Sequence, residues 1–189
     1  MTDQFPSLHT ERLTLGEVRL TDIPAIVALA GSELISRTTL NLPHPYGEND
    51  AIKWINLARQ GFVNQNHFIF GIRLRSTDEF MGSIGLVVSR PNNKAEIGYW
   101  IGTPFWGKGF MTEATAAIIR FGFEELAFNR IFASYISDNV ASGRIMEKCG
   151  MIKEGEFADN IRKNGEYKST VHYRLTRAEF DAMMESQYP

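Results

Sequence analysis

The amino-acid sequence predicts one mixed α/β (α+β) domain over residues 1–189, built on a central, mostly antiparallel sheet of about seven strands flanked by helices. Three observations predict it. The chain opens on a strand pattern followed by a helix pattern, its middle holds strand-like runs joined by short polar turns, and from residue 102 onward helices and strands alternate. With 189 residues, 43% of them hydrophobic, such a chain can bury a sizeable core of its own.

Residues 12–20 alternate apolar and polar side chains and predict the first strand. Thr21 and Asp22 before Pro24 mark a helix start, with Ile23, Ile26, Val27 and Ala30 on one face. Residues 36–47 contain Pro43, Pro45 and Gly47 and read as a loop that borders a substrate cleft. A helix follows over residues 49–62, with Ile52, Ile55 and Ala58 or Arg59 at helical spacing. Residues 67–75, 80–88 and 95–101 form an antiparallel meander with polar turns at 76–79 and 91–94. A second long helix extends to about Leu126 and carries Met111, Ala114, Ile118 and Phe121 at helical spacing. Residues 130–137 read as a strand and 140–149 as a short helix capped by Asn139, with Gly150 at the left-handed stop. Two further strands at 152–157 and 169–175 are joined by a long polar loop containing Asn164-Gly165. Thr176 then caps a terminal helix, with Glu179 three residues later.

A formal charge of −2 and a pI near 6.1 argue against a general nucleic-acid-binding surface, while leaving room for a local basic patch around a phosphate. The lone cysteine, Cys149, excludes an intrachain disulfide framework. No apolar run is long enough to span a membrane, and no signal-peptide core follows Met1-Thr-Asp-Gln4, so a cytoplasmic protein is expected. The histidines at 9, 44, 67 and 172 lack metal-ligand spacing, and no metal site is expected.

The most telling stretch is Gly102-Thr-Pro-Phe-Trp-Gly107-Lys108-Gly109-Phe-Met-Thr-Glu113, a glycine turn between a strand and a helix. Glycines there let a ligand approach the free amides of a helix N-terminus, where the helix dipole favours an anion. As a phosphate-binding loop of the GxxxxGK[ST] type the turn matches at Gly102, Gly107 and Lys108, but Gly109 stands where the magnesium-binding hydroxyl belongs. As a GxGxxG dinucleotide fingerprint it fails at Thr112. A plain strand-to-helix turn would need one glycine, not two around a lysine.

A second run, Asn139-Val-Ala-Ser142-Gly-Arg144-Ile-Met-Glu-Lys148-Cys-Gly150, follows a strand and reads by itself as a capped helix. Together the two runs resemble the GNAT superfamily of N-acetyltransferases, which use acetyl-coenzyme A. Gly107 and Gly109 match the glycines of the family's Gln/Arg-x-x-Gly-x-Gly/Ala motif, and Pro104 stands in place of its Gln or Arg. That departure, with Thr10-Glu11-Arg12-Leu13, Trp-Gly-Lys-Gly-Phe-x-Thr-Glu and Asn-x-x-Ser-x-Arg, is similar to the branch of ribosomal-protein alanine and serine N-terminal acetyltransferases.

The resemblance implies a sheet splayed at its fourth and fifth strands and a metal-free site for the pyrophosphate of acetyl-CoA. Its cofactor-binding candidates are the amides of Trp106, Gly107, Lys108, Gly109, Phe110 and Met111, with Thr112, Asn139, Ser142 and Arg144. Backbone near Trp100 and Ile101 would pair with the pantetheine arm like an added strand, and Asn139 would touch that arm. Glu96 stands where the family often places the carboxylate that takes the amine proton through water, with Glu156 and Asp159 as rivals. Met146 replaces the tyrosine that many members use as general acid. Ser142, one turn earlier, is expected to hydrogen-bond the leaving sulfur. Cys149 reads as a small core residue, since direct attack by an amine needs no acyl-cysteine step.

The implied reaction is acetyl transfer to a primary amine in a ternary complex, the acceptor being a protein N-terminus beginning with alanine or serine. A polyamine, antibiotic or amino-acid amine is the alternative acceptor, and a non-catalytic acyl-CoA sensor is the alternative role. Homodimers are common in the family. Neither nucleic acid nor a membrane is implied as a partner.

Overall fold

The structure, a computed structural model, describes residues 4–187; Met1, Thr2 and Asp3, part of the stretch read for a leader, lie outside the described residues. Strands β1 (Leu8–His9), β2 (Leu13–Glu17), β3 (His67–Leu74), β4 (Phe80–Ser89), β5 (Lys94–Ile101), β6 (Arg130–Ile136), β7 (Ile152–Lys163) and β8 (Glu166–Thr176) form one sheet in the order β1-β2-β3-β4-β5-β6-β8-β7. Every neighbouring pair is antiparallel except β5 with β6.

That parallel pair positions the site. Pairing runs only from Lys94–Ile97 against Arg130–Ala133, after which the strands part. Each is still held on its far side: β5 pairs with β4 as far as Ile101, and β6 pairs with β8 as far as Thr170 opposite Ile136. The splay expected between the fourth and fifth predicted strands is therefore present, and its two inner edges keep unpaired backbone groups.

Helices cover both faces, which is why the central strands are apolar on alternate residues in both directions. Helix α4 (Phe110–Glu124) seats Met111, Ala114, Ile118 and Phe121 against Leu13, Phe68, Phe70, Ile84, Leu86 and Ile97, joined by Met146 and Cys149 of the α5 (Val140–Lys148) region and Phe180 of α6 (Arg177–Gln187). On the other face α1 (Ile23–Ala30), α2 (Glu33–Thr38) and α3 (Glu48–Val63) bury Ile26, Ala30, Ile35, Ala51 and Ile55 with Val18, Phe80 and Trp100.

Four readings change. The sheet has an eighth strand, since Leu8 and His9 pair with Leu15 and Thr14. Residues 33–38, partly read as loop, form α2, whose Ser36 hydroxyl donates to the Leu42 carbonyl at 2.9 Å. The long loop expected after residue 157 is instead strand on both sides of a two-residue turn, Asn164 (φ 50) and Gly165 (φ 87), the conformations that a tight hairpin requires. Asp22 does not cap α1 with its side chain. Its carboxylate accepts from the Arg19 amide at 2.6 Å and pairs with Arg73, buried across the sheet edge.

Candidate active site

After β5 the chain makes a short 3-10 turn, Thr103–Phe105, and then the glycine turn. Gly107 (φ 73) and Gly109 (φ 79) both occupy the left-handed region that a side chain strains, and Gly109 is the N-cap of α4. A side chain on Gly107 would project into open space, so its absence leaves an approach to the backbone. The first bond inside α4 runs from the Glu113 amide to the Gly109 carbonyl, and the amides of Phe110, Met111 and Thr112 have no partner in the helix. Such a helix N-terminus attracts an anion.

The turn is braced from behind. Glu113 accepts hydrogen bonds from Arg12 Nε at 2.7 Å, the Arg12 amide at 2.9 Å and Thr10 Oγ1 at 2.6 Å. Arg12 Nη1 also donates to the Lys108 carbonyl at 3.0 Å, and its guanidinium lies 4.6 Å from the centre of the Phe110 ring. Burial would raise the Glu113 carboxyl, but the bonds from Thr10 and Arg12 and the Arg12 charge hold it below the ordinary carboxylate range.

The splay and the turn open into one cleft of about 720 Å³. Trp100, Ile101, Trp106, Gly107, Gly109, Phe110, Met111 and Thr112 line it from β5 and the turn, and Asn139, Ser142 and Arg144 line it from α5. Lys108 is the one cofactor candidate absent from the wall; its ammonium stands 6.0 Å over the Phe105 ring. Glu96 lines the same cleft, held by the Ser134 hydroxyl, which donates to Oε1 at 3.0 Å across the β5–β6 pair.

Charge divides along this cleft. Arg144 and Lys148 come from one face of α5 at i,i+4 spacing, whereas the carboxylate in the wall is Glu96, on the sheet face shared with Gly98 and Trp100. Val87 pairs with Glu96 across β4 and β5, and Trp54, Ile69 and the segment from Thr38 to Leu42 line the same cleft. The basic pair suits phosphate and the carboxylate an amine.

On β5, the Gly102 amide donates to the Met81 carbonyl at 2.9 Å. Because backbone groups alternate along an antiparallel pair, Trp100 also turns its amide and carbonyl to β4, while Tyr99 and Ile101 turn theirs to the open edge. Of the expected backbone pair, Ile101 faces the cleft and Trp100 does not. The Ile101 carbonyl already accepts from Trp106 Nε1 at 2.7 Å, which leaves the Ile101 amide.

Asn139 caps α5, its Oδ1 accepting from the Ser142 amide at 3.4 Å, and Nδ2 donates to the Thr38 carbonyl at 3.0 Å. One amide hydrogen is left for a ligand. Ser142 is 6% exposed on the first turn of α5, and Met146 lies one turn later in the wall. Tyr99 reaches this turn from β5 and donates to the Ser142 carbonyl at 3.4 Å. Cys149 is 7% exposed, its thiol donates to the Thr112 carbonyl at 3.5 Å, and burial pushes its pKa up to about 11. A thiol so held is no nucleophile at neutral pH.

The structure does not bring Glu156 or Asp159 to the cleft wall. Glu156 is exposed and pairs with Lys153 at 3.6 Å, and Asp159 is an exposed strand residue. Residue patterns did not single out Ser134, Tyr99, Trp54 or Lys163. Lys163 of β7 donates to the Thr39 and Leu40 carbonyls, so the hairpin ties down one segment of the cleft wall. A polar residue inside the apolar run of β6 is the signal that Ser134 carried. A second hollow, about 250 Å³, includes Glu17 and Arg59, which are spent on each other at 3.4 Å. Among the described residues no group of histidine, cysteine, aspartate or glutamate could hold a metal ion, and no helix is long and apolar enough to cross a membrane.

Comparison with known proteins agrees with this geometry. The model of the acetyltransferase (GNAT) domain matches residues 12–152. The chain is 31% identical over 174 residues to the uncharacterized N-acetyltransferase YoaA of Bacillus subtilis, covering 92% of this chain and 98% of that one. It is 32% identical over 126 residues to the [ribosomal protein uS5]-alanine N-acetyltransferase of Escherichia coli, covering 63% and 65%. A solved structure described as a probable acetyltransferase superposes with a TM-score of 0.84 at 26% identity, covering 92% of this chain and 98% of that one.

Proposed function

The chain belongs to the GNAT acetyltransferase family, and from that premise we propose that it transfers an acetyl group from acetyl-CoA to a primary amine by direct attack in a ternary complex. The observation that carries the reading is the make-up of one cleft, which joins free α4 amides, Arg144 and Lys148 with Glu96 in a single wall. Acetyl-CoA, when bound, supplies an acetyl thioester whose carbonyl carbon accepts the amine.

The residues fit that molecule. The left-handed glycines leave room at the amides of residues 107–112, the Trp106 amide being spent on the Thr103 carbonyl at 3.2 Å, and the exposed edge beyond Ile97 can take an extended arm by strand addition. Arg144 would pair with phosphate, and Asn139 retains one donor for the arm. Glu96, oriented by Ser134, would accept the proton of the incoming ammonium directly or through one water. Ser142 would hydrogen-bond the sulfur as the carbon–sulfur electron pair moves onto it, without surrendering its own proton.

For the acceptor we read the N-terminal amine of a protein beginning with alanine or serine, and the name of the Escherichia coli relative supports the alanine. A small-molecule amine is the second reading, favoured by the bonds that fix one wall of the cleft: the segment at Thr38–Leu40 is tied to both Lys163 of β7 and Asn139 at the start of α5. We further read residues 1–189 as one such domain at work in the cytoplasm, alone or as a homodimer. Calorimetry with acetyl-CoA, then thiol release over N-terminal peptides, polyamines and aminoglycosides, tests the reading. Micromolar binding and turnover with one class support it; absence of acetyl-CoA binding would end it.

A further inference from the structure

The helix bearing Ser142 is braced by a tyrosine from each lip of the splay. Tyr99 of β5 reaches the first turn of α5 and donates to the Ser142 carbonyl at 3.4 Å. Tyr135 of β6 puts its hydroxyl against Gly143, where an added Cβ would lie 2.4 Å from Oη. The next residue to Ser142 must be glycine for that approach to exist. Tyr99 also belongs to the cleft wall, with its ring packed among buried residues under α4, and burial keeps the phenol neutral. A neutral phenol has one proton to donate, and here the Ser142 carbonyl accepts it.

We propose that Tyr99 is the positioning residue of the transfer step: its O–H holds the Ser142 carbonyl and with it the first turn of α5, so that the serine hydroxyl points its own proton at the departing sulfur. The inference rests on the reading of Ser142 as the group that meets that sulfur. As the amine nitrogen bonds to the carbonyl carbon and the carbon–sulfur bond breaks, the electron pair stays on sulfur. Ser142 Oγ–H donates to it, while Tyr99 Oη–H stays on the Ser142 carbonyl and keeps that turn in place. The amine's proton leaves by way of Glu96 or water, and no proton need pass through Tyr99. With Met146 in the wall, the tyrosine supplying the hydroxyl comes from the strand beneath the helix instead of from the helix itself.

The test titrates the thiol of coenzyme A bound to the protein, followed by the ultraviolet absorbance of the thiolate, with calorimetry to show that each variant still binds. Tyr99→Phe should raise the thiol's pKa and lower kcat about 3- to 10-fold, the value of one hydrogen bond, with KM for acetyl-CoA unchanged. On a Ser142→Ala background the same change should do nothing more, whereas 3-fluorotyrosine at position 99, a stronger donor, should lower the thiol's pKa. If Ser142→Ala leaves the titration unmoved, the reading of Ser142 fails and the inference with it. If Ser142→Ala shifts it and both changes at Tyr99 leave it in place, or their effects add in full to that of Ser142→Ala, Tyr99 is only a packing residue.

Discussion

Arg12 and Glu113 are 101 residues apart in sequence and 2.7 Å apart in the fold, and their contact makes the glycine turn a fixed object. Arg12 grips the turn at three points, the Glu113 carboxylate, the Lys108 carbonyl and the Phe110 ring. The turn's amides need no metal to hold their aim if their backing does not move.

Glu113→Gln should therefore weaken acetyl-CoA binding by roughly tenfold, the loss of about 1.4 kcal/mol, with the change read by calorimetry. Because the folded carboxyl titrates below its ordinary value of 4.5, its stabilisation is present above that pH and is lost as pH falls through the lower folded value. Melting curves between neutral and strongly acid pH should show the wild type losing stability in that lower window more steeply than the glutamine variant.

Gly109→Val should abolish acetyl-CoA binding at micromolar concentration, since a β-branched residue at φ 79 displaces the N-cap of α4. Gly107→Ala should cost less. Its side chain would meet nothing, leaving a conformational penalty of about 1 kcal/mol and a modest rise in Kd.

Glu96→Gln should reduce kcat/KM by about 10²-fold or more while leaving acetyl-CoA affinity intact. Ser134→Ala, which frees the carboxylate to turn, should give a milder loss of the same kind. A kcat/KM of Glu96→Gln equal to wild type would move the base to water.

Far from the cleft, Arg73 and Asp22 are buried together, their side chains 2% and 8% exposed. Removing one partner strands a charge, so Asp22→Ala should cost about 3–5 kcal/mol in urea unfolding. Replacing both, as in Asp22→Leu with Arg73→Met, should recover most of that loss. The pair is structural, and acetyl-CoA affinity of the double variant should match wild type.

Much of the cleft was legible in the residues. The glycine turn, the Asn139 cap, the αL stop at Gly150 and the Thr176–Glu179 capping box are local signals, each complete within a few residues, and each stands where it was expected. The β7–β8 hairpin was cut short because most residues of β7 are exposed, so no apolar alternation marked residues 158–163 as strand. Asn164-Gly165 was the surviving clue, and it sits at the turn itself.

The sequence by itself therefore determined most of the element types, the two motifs and the resemblance they carry, because helix periods, caps and glycine turns are written over short spans of chain. Only the tertiary structure decided which residues meet: Arg12 with Glu113, Glu96 with Ser134, Tyr99 with Ser142, Lys163 with the Thr39 carbonyl. Those meetings depend on strand order and register between distant segments, and on the point at which β5 and β6 part. A shift of one residue in either strand would turn Glu96 or Ser134 to the opposite face, which is why composition and local pattern leave such contacts open.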